Sequence, residues 1–262
     1  MSVASSTSAS SVSSGGRLAA GPAWGFALLA TTMGFAFHLW FIFTKTPEAQ
    51  AAAGGFAQKI FYFHVPSAYA LYLSGVVCFV ASCLYLLRPT NARDAWAKAG
   101  AETAVVFGLM VLTSGPLWAK KAWGVYWTWD PRLTTLLLSV LLYLAMVLLR
   151  RFTGDGNAER RFAAAFGVLG TTLLPIIHYS VRLWGGNHPT VVTKGGGGLG
   201  SAAMSQALGM GFVTMTALAV VLLLLRARVA LSESRLREAE ELAYGLGVLG
   251  ADDEAPGERS PS

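Results

Sequence analysis

Residues 118–134 read W-A-K-K-A-W-G-V-Y-W-T-W-D-P-R-L-T, between apolar runs at 100–117 (G-A-E-T-A-V-V-F-G-L-M-V-L-T-S-G-P-L) and 133–149 (L-T-T-L-L-L-S-V-L-L-Y-L-A-M-V-L-L). Each run approaches the roughly 20 residues that a helix needs to cross a bilayer. The segment between them is therefore expected to be a loop at a membrane edge. It holds four of the eight tryptophans, Trp118, Trp123, Trp127 and Trp129, with Tyr126 beside them and Asp130 closing the cluster. So much flat aromatic surface in so few residues points to a flat, hydrophobic ligand.

Working outward, the same reading repeats. Apolar blocks at about 24–43, 65–87, 162–181 and 202–225 bring the number of expected spans to six. The fold class is all-α, a polytopic membrane helix bundle. The blocks are too long and too uniformly apolar for barrel strands, and a helix satisfies its own backbone in lipid. The run from Phe56 to Leu87 exceeds one ordinary span, and Pro66 divides it. Proline removes a helical hydrogen bond and biases the preceding residue away from helix, so 56–64 is expected as an interfacial piece and 65–87 as span two. Asp130-Pro131 is a start signal for span four, since Asp caps free N–H groups and Pro suits the first helical position.

Three parts follow: a Ser/Ala/Gly-rich disordered tail at 1–22, a six-span membrane domain at 23–226, and a charged C-terminal tail at 227–262 with helical pattern over 229–244 and an acidic end. A signal peptide competes for the first block, but the block is long for that role and no small-residue cleavage site follows it. Lysine and arginine set the orientation. The tails up to Arg237 and the loops at 88–98 and 150–161 carry twelve, against six in the opposite loops (Lys45, Lys59, Lys120, Lys121, Arg182, Lys194). Both termini are expected in the cytoplasm of a bacterial inner membrane, with the tryptophan loop outward.

The two cysteines, Cys78 and Cys83, share one apolar run and form neither C-x-x-C nor C-x-x-C-H. Thioredoxin-like chemistry and covalent haem attachment to these thiols are excluded. The glycines at 195–198 lack the Lys-Ser/Thr of a phosphate loop and no strand precedes them. The four histidines are His38, His64, His178 and His188. Span parity puts His64 and His188 on the same side as the tryptophan loop. Imidazole is the usual axial ligand of haem iron, and haem needs at most two. Two histidines beside an aromatic platform is what non-covalent haem binding at a membrane surface requires, with Lys120, Lys121, Arg132, Arg182 or Lys194 available for the propionates. The plainer readings are an interfacial aromatic belt, Asp130 as a cap alone, and histidines that are merely hydrogen-bonded. His38 and His178 would serve a b-type electron carrier with ligands inside the bundle.

The residues W-G-V-Y-W-T-W-D-P-R-L-T closely resemble the tryptophan-rich "WWD" signature of the haem-handling proteins of cytochrome c maturation. With six spans, with T-S-G-P-L-W-A-K-K before the signature, F-H-V-P-S-A-Y at the first histidine and N-H-P at the second, the chain resembles the CcmC branch. The resemblance implies that His64 and His188 are the axial ligands and that Trp118, Trp123, Gly124, Trp127, Trp129 and Asp130 form the haem-binding signature. It implies a transiently held b-type haem presented outside the inner membrane and delivered to a CcmE-like chaperone. The implied partners are a CcmD-like small protein and a CcmA/CcmB ABC-type pair, with no nucleic acid and no bond-making chemistry of its own. Tyr126 and Pro131 depart from the branch pattern, and W-D-P is shared with the CcsA branch, whose haem-ligating synthases carry more spans.

Overall fold

The computed structural model describes residues 22–50, 54–153, 156–186, 188 and 199–247. Six helices are long and apolar enough to cross a membrane. They are α1 (Pro22–Lys45), α2 (Phe61–Leu87), α3 (Asn91–Trp123), α4 (Pro131–Phe152), α5 (Asn157–Trp184) and α6 (Ala202–Gly245), with a short 3₁₀ helix at Gly55–Ile60 leading into α2. No strand occurs among the described residues. The expected N-terminal tail lies outside them except for Pro22, as do the acidic end, Lys194 and the glycines at 195–198.

The core gathers α2 and α3 with α4, α5 and α6 around Leu71, Cys78, Phe107, Tyr143 and Met215. Helices in lipid gain little from burying apolar surface and associate through close packing at small residues. Gly100 shows this: a methyl group there would sit 2.6 Å from the Cys78 backbone nitrogen, so α3 lies directly on the α2 backbone. Gly108 meets Val140 and Gly167 meets Cys78 and Ser82 in the same way. Helix α1 packs on the outside, chiefly along α6, where Ile42 is buried with Met204, Ala207 and Leu208. There the buried His38 donates from Nε2 to the Ala207 carbonyl at 2.9 Å.

Helix boundaries depart from the sequence reading in every span (α5, for one, begins at Asn157 inside the expected 150–161 loop), and three departures matter for the packing. Pro66 lies inside α2, whose helical hydrogen bonding runs through it from Phe61. The missing N–H leaves the Tyr62 carbonyl free within the first turns, and that carbonyl faces Gly211 of α6, where no side chain intervenes. The 3₁₀ helix passes into α2 at Ile60 with helical backbone on both sides, so His64 belongs to the first turn of α2. Second, α3 exceeds its expected span at both ends. The expected loop at 88–98 is helical from Asn91 onward and supplies the first two turns of α3, and Trp118, Lys120, Lys121 and Trp123 ride on that helix's last turns rather than in the tryptophan loop. Gly124 then ends the helix in the left-handed conformation at φ 80°. Trp123 is thus the last helical residue, and Trp127 lies beyond the turn.

Third, α6 continues unbroken through its apolar part to Gly245, about 66 Å at 1.5 Å per residue, more than twice a hydrocarbon core. Its extension runs antiparallel to the start of α3. Glu102 pairs with Arg226, Lys98 with Glu233 at 2.8 Å, and Asn91 with Glu238. Beside this ladder Asp94 of α3 holds Arg150 of α4 in a buried two-pronged ion pair. One end of the bundle is thus tied by charge; the other carries the aromatic cluster.

Candidate functional site

At the aromatic end the helices part around a mostly apolar cavity of about 540 Å³. That is within the roughly 300–1,000 Å³ of small-molecule sites. His64 enters from the first turn of α2, Trp118 and Trp123 from the end of α3, and Trp127 from the following loop. Arg132 comes from the start of α4, His178 and Arg182 from α5, and His188 from the connection after α5. Five of the eight residues expected at the site therefore line one cavity: His64, His188, Trp118, Trp123 and Trp127.

The other three frame it. Gly124 turns the chain out of α3. Asp130 caps α4, accepting from the Leu133 N–H at 2.9 Å and from Thr128 Oγ1 at 3.2 Å, while Pro131 takes the first helical position. Trp129 is 76% exposed, its ring edge-on to Trp127 at 5.7 Å. The cap also lies beside the connection after α5. Gly185 and Gly186, both at positive φ, lead from α5 toward His188, and a methyl group on Gly186 would lie 3.8 Å from Asp130 Cγ.

Of the five expected cations, Arg132 and Arg182 line the cavity. Lys120 instead donates to the Gly124 carbonyl at 2.9 Å and sits over the Tyr126 ring, Lys121 is not in the lining, and Lys194 lies outside the described residues. His178 lines this cavity and His38 does not, its Nε2 being hydrogen-bonded in the α1–α6 contact.

The geometry around each histidine is distinct. His64 Nδ1 meets Ser114 Oγ at 2.8 Å, and the ring lies against Gly115, where a methyl group would come within 3.1 Å of Cε1. His188 stands edge-on to Trp123 at 5.4 Å, and Trp123 edge-on to Trp118 at 5.1 Å. Trp118 is held by its Nε1 donating to Gln58 Oε1 at 3.0 Å. Burial, then the positive charge of Arg132, pushes His188 down to about 4, with Asp130 opposing. His188 is thus neutral at physiological pH, the form in which imidazole ligates a metal.

Among the described residues, three buried polar atoms around the cavity have no partner: His188 Nδ1, Trp127 Nε1 and Arg132 Nε. An unpaired buried polar group costs about 1–3 kcal/mol, so such atoms call for an explanation, and a bound ligand is one. Trp127 Nε1 and Arg132 Nε are donors and suit an acceptor such as a carboxylate. Among the described residues no three His, Cys, Asp or Glu side chains converge, so a bare ion lacks a ligand set. A metal bringing its own equatorial ligands needs only two imidazoles. The residues present therefore fit haem: two histidines, indole walls, and donors of the kind that carboxylates accept from.

Sequence reasoning missed Ser114 and Gln58, as well as Tyr69, Tyr72 and Phe212 in the cavity wall. The available signal was weak: polar residues in otherwise apolar runs near the aromatic end.

A family model described as heme exporter protein C matches residues 8–242. Among curated proteins, heme exporter protein C of Bradyrhizobium diazoefficiens is 37% identical over 145 residues, 55% of each chain. The protein of the same name from Escherichia coli strain K12 is 34% identical over 137 residues, 51% of this chain and 55% of that one. A putative cytochrome c biosynthesis ccmC-like mitochondrial protein of Marchantia polymorpha is 32% identical over 130 residues, 50% of this chain and 54% of that one. The alignments span about half the length of these relatives.

Proposed function

The chain belongs to the heme exporter protein C family, and on that premise we propose that it holds haem at the outer face of the bacterial inner membrane and delivers it to a CcmE-like periplasmic chaperone. The observation that carries this reading is the convergence of His64 and His188, from a helix and a distant loop, on one tryptophan-walled cavity. In it, His64 Nε2 and a ring nitrogen of His188 are the axial ligands to the iron, Trp118, Trp123 and Trp127 contact the macrocycle, and Arg132 and Arg182 pair with the propionates. Haem contributes a Lewis-acidic iron that two neutral imidazoles can hold reversibly. The chain's own residues make no bonds in the cargo. They bind it, orient it, and keep one wall on a loop, so that a partner can reach it. A CcmD-like small protein and a CcmA/CcmB-like ABC pair complete the proposed assembly. The positive-inside asymmetry supports placing the cavity toward the periplasm.

The test is the visible spectrum of the full-length protein purified with haem. A Soret band is expected, lost or shifted in both His64→Ala and His188→Ala. A band that survives both and vanishes in His38→Ala sinks the assignment, as does failure to bind even excess haem. Adding the apo-chaperone is expected to move haem onto it; thioether formation on an apocytochrome without any chaperone would instead support a CcsA-like synthase.

A further inference from the structure

Ser114 lies on α3, one helical turn from Met110 and against His64 of α2. Its Oγ is 2.5 Å from the Met110 carbonyl oxygen and 2.8 Å from His64 Nδ1. A hydroxyl carries one proton and a carbonyl carries none. Two oxygens this close need the proton between them, because O–H···O bonds already centre on about 2.7–2.8 Å. The Ser114 proton therefore goes to Met110, and Ser114 Oγ accepts from His64. The imidazole must then carry its hydrogen on Nδ1 and its lone pair on Nε2, which has no hydrogen-bond partner among the described residues. Gly115, the next residue, leaves the ring just enough room in this orientation.

We propose that Ser114 is a positioning residue that fixes the tautomer of His64, presenting Nε2 to the iron as a ready lone pair and raising its basicity through the Nδ1–H···Oγ bond. This rests on the reading of His64 as an axial ligand. The chemistry is general: metal-bound histidines donate their second N–H to a fixed acceptor, and loss of that acceptor typically weakens the metal about 10–100-fold. Here the acceptor is a hydroxyl already oriented by its own helix. His188 shows the contrast, its Nδ1 being buried without a partner among the described residues.

The experiment compares Ser114→Ala, Ser114→Thr and His64→Ala in the full-length protein, reading ferric-haem affinity by titration and the midpoint potential of the bound iron. Alanine is a good helix former and smaller than serine, so the fold is retained. A more basic imidazole favours ferric iron. Ser114→Ala is expected to weaken ferric binding tenfold or more and to raise the potential, by about 59 mV for each tenfold loss confined to the ferric state. Ser114→Thr keeps the hydroxyl and is expected to retain both values. If His64→Ala shifts spectrum and potential while Ser114→Ala leaves affinity and potential unchanged, or if threonine behaves as alanine does, the positioning role is overturned and the ligand assignment stands. If His64→Ala changes nothing, the ligand assignment fails and the role of Ser114 falls with it.

Discussion

Replacing Asp130 separates two roles that one carboxylate combines. Oδ1 accepts from the Leu133 N–H at 2.9 Å, Oδ2 accepts from Thr128, and the extended backbone at φ −73°, ψ 159° is that of a helix cap. Its negative charge also opposes the effect of Arg132 on His188. Asp130→Ala removes the cap, a loss of about 0.5–2 kcal/mol and typically near 1. Asp130→Asn retains an equally ranked capping acceptor and loses the charge's interactions with the helix dipole and with Arg132, the dipole part being about a few tenths of a kcal/mol. The two variants should therefore differ by about 1 kcal/mol, some 2–4 °C in melting temperature for a chain of this size. Thermal unfolding in detergent, followed by far-UV circular dichroism, measures it. Because α4's first turn carries Arg132 into the cavity, haem affinity should fall in the alanine variant. In the asparagine variant it should hold or tighten, one negative charge having left a site that receives carboxylates. Equal destabilisation by asparagine and alanine would refute the cap as the source of the effect; no destabilisation by alanine would refute the cap altogether.

Other expectations follow from the packing and from His188. Gly100→Ala should destabilise by about 1–3 kcal/mol in thermal unfolding, because its methyl would meet the Cys78 backbone and overpacking outweighs the gain in helix propensity. Gly34→Ala on α1, with nothing within 4 Å, should be neutral or stabilising by up to about 1 kcal/mol. Gly115→Ala should weaken ferric-haem binding several-fold in titrations by displacing the His64 ring. The depressed value of His188, about 4 against 6.5, has a definite sign. Between those values the unfolded chain takes up a proton that the native haem-free protein refuses, so stability falls as pH drops through that window. Melting curves of His188→Gln against the parent from pH 7 to 4 should show a shallower decline in the variant; parallel declines would contradict the burial of this ring.

Much of this protein is legible in its sequence because a membrane makes local demands. Apolar block length gives six spans, and parity puts His64, the tryptophans and His188 at one end of the bundle. Asp130-Pro131 states its own cap, since an N-cap involves residues three positions apart. Boundaries were less legible. Pro66 sits early enough in α2 that its missing bond costs little and Gly211 accommodates the freed carbonyl. The charged start of α3 is opened by the Thr90 cap, which accepts from the Arg93 N–H, and is tied to α6, more than 100 residues later, through Arg226 and Glu233. The details of the site required tertiary structure for the same reason. Nothing near His64 names Ser114, nothing near Trp118 names Gln58, and no spacing rule selects Arg132 and Arg182 over Lys120 and Lys121. Those choices depend on side-chain directions at helix crossings, where α2, α3, α4 and α5 meet within hydrogen-bonding distance although the chain separates them by tens of residues. The sequence by itself determined the spans, the cap and the residues of the aromatic end; only the folded bundle decided how each histidine is held.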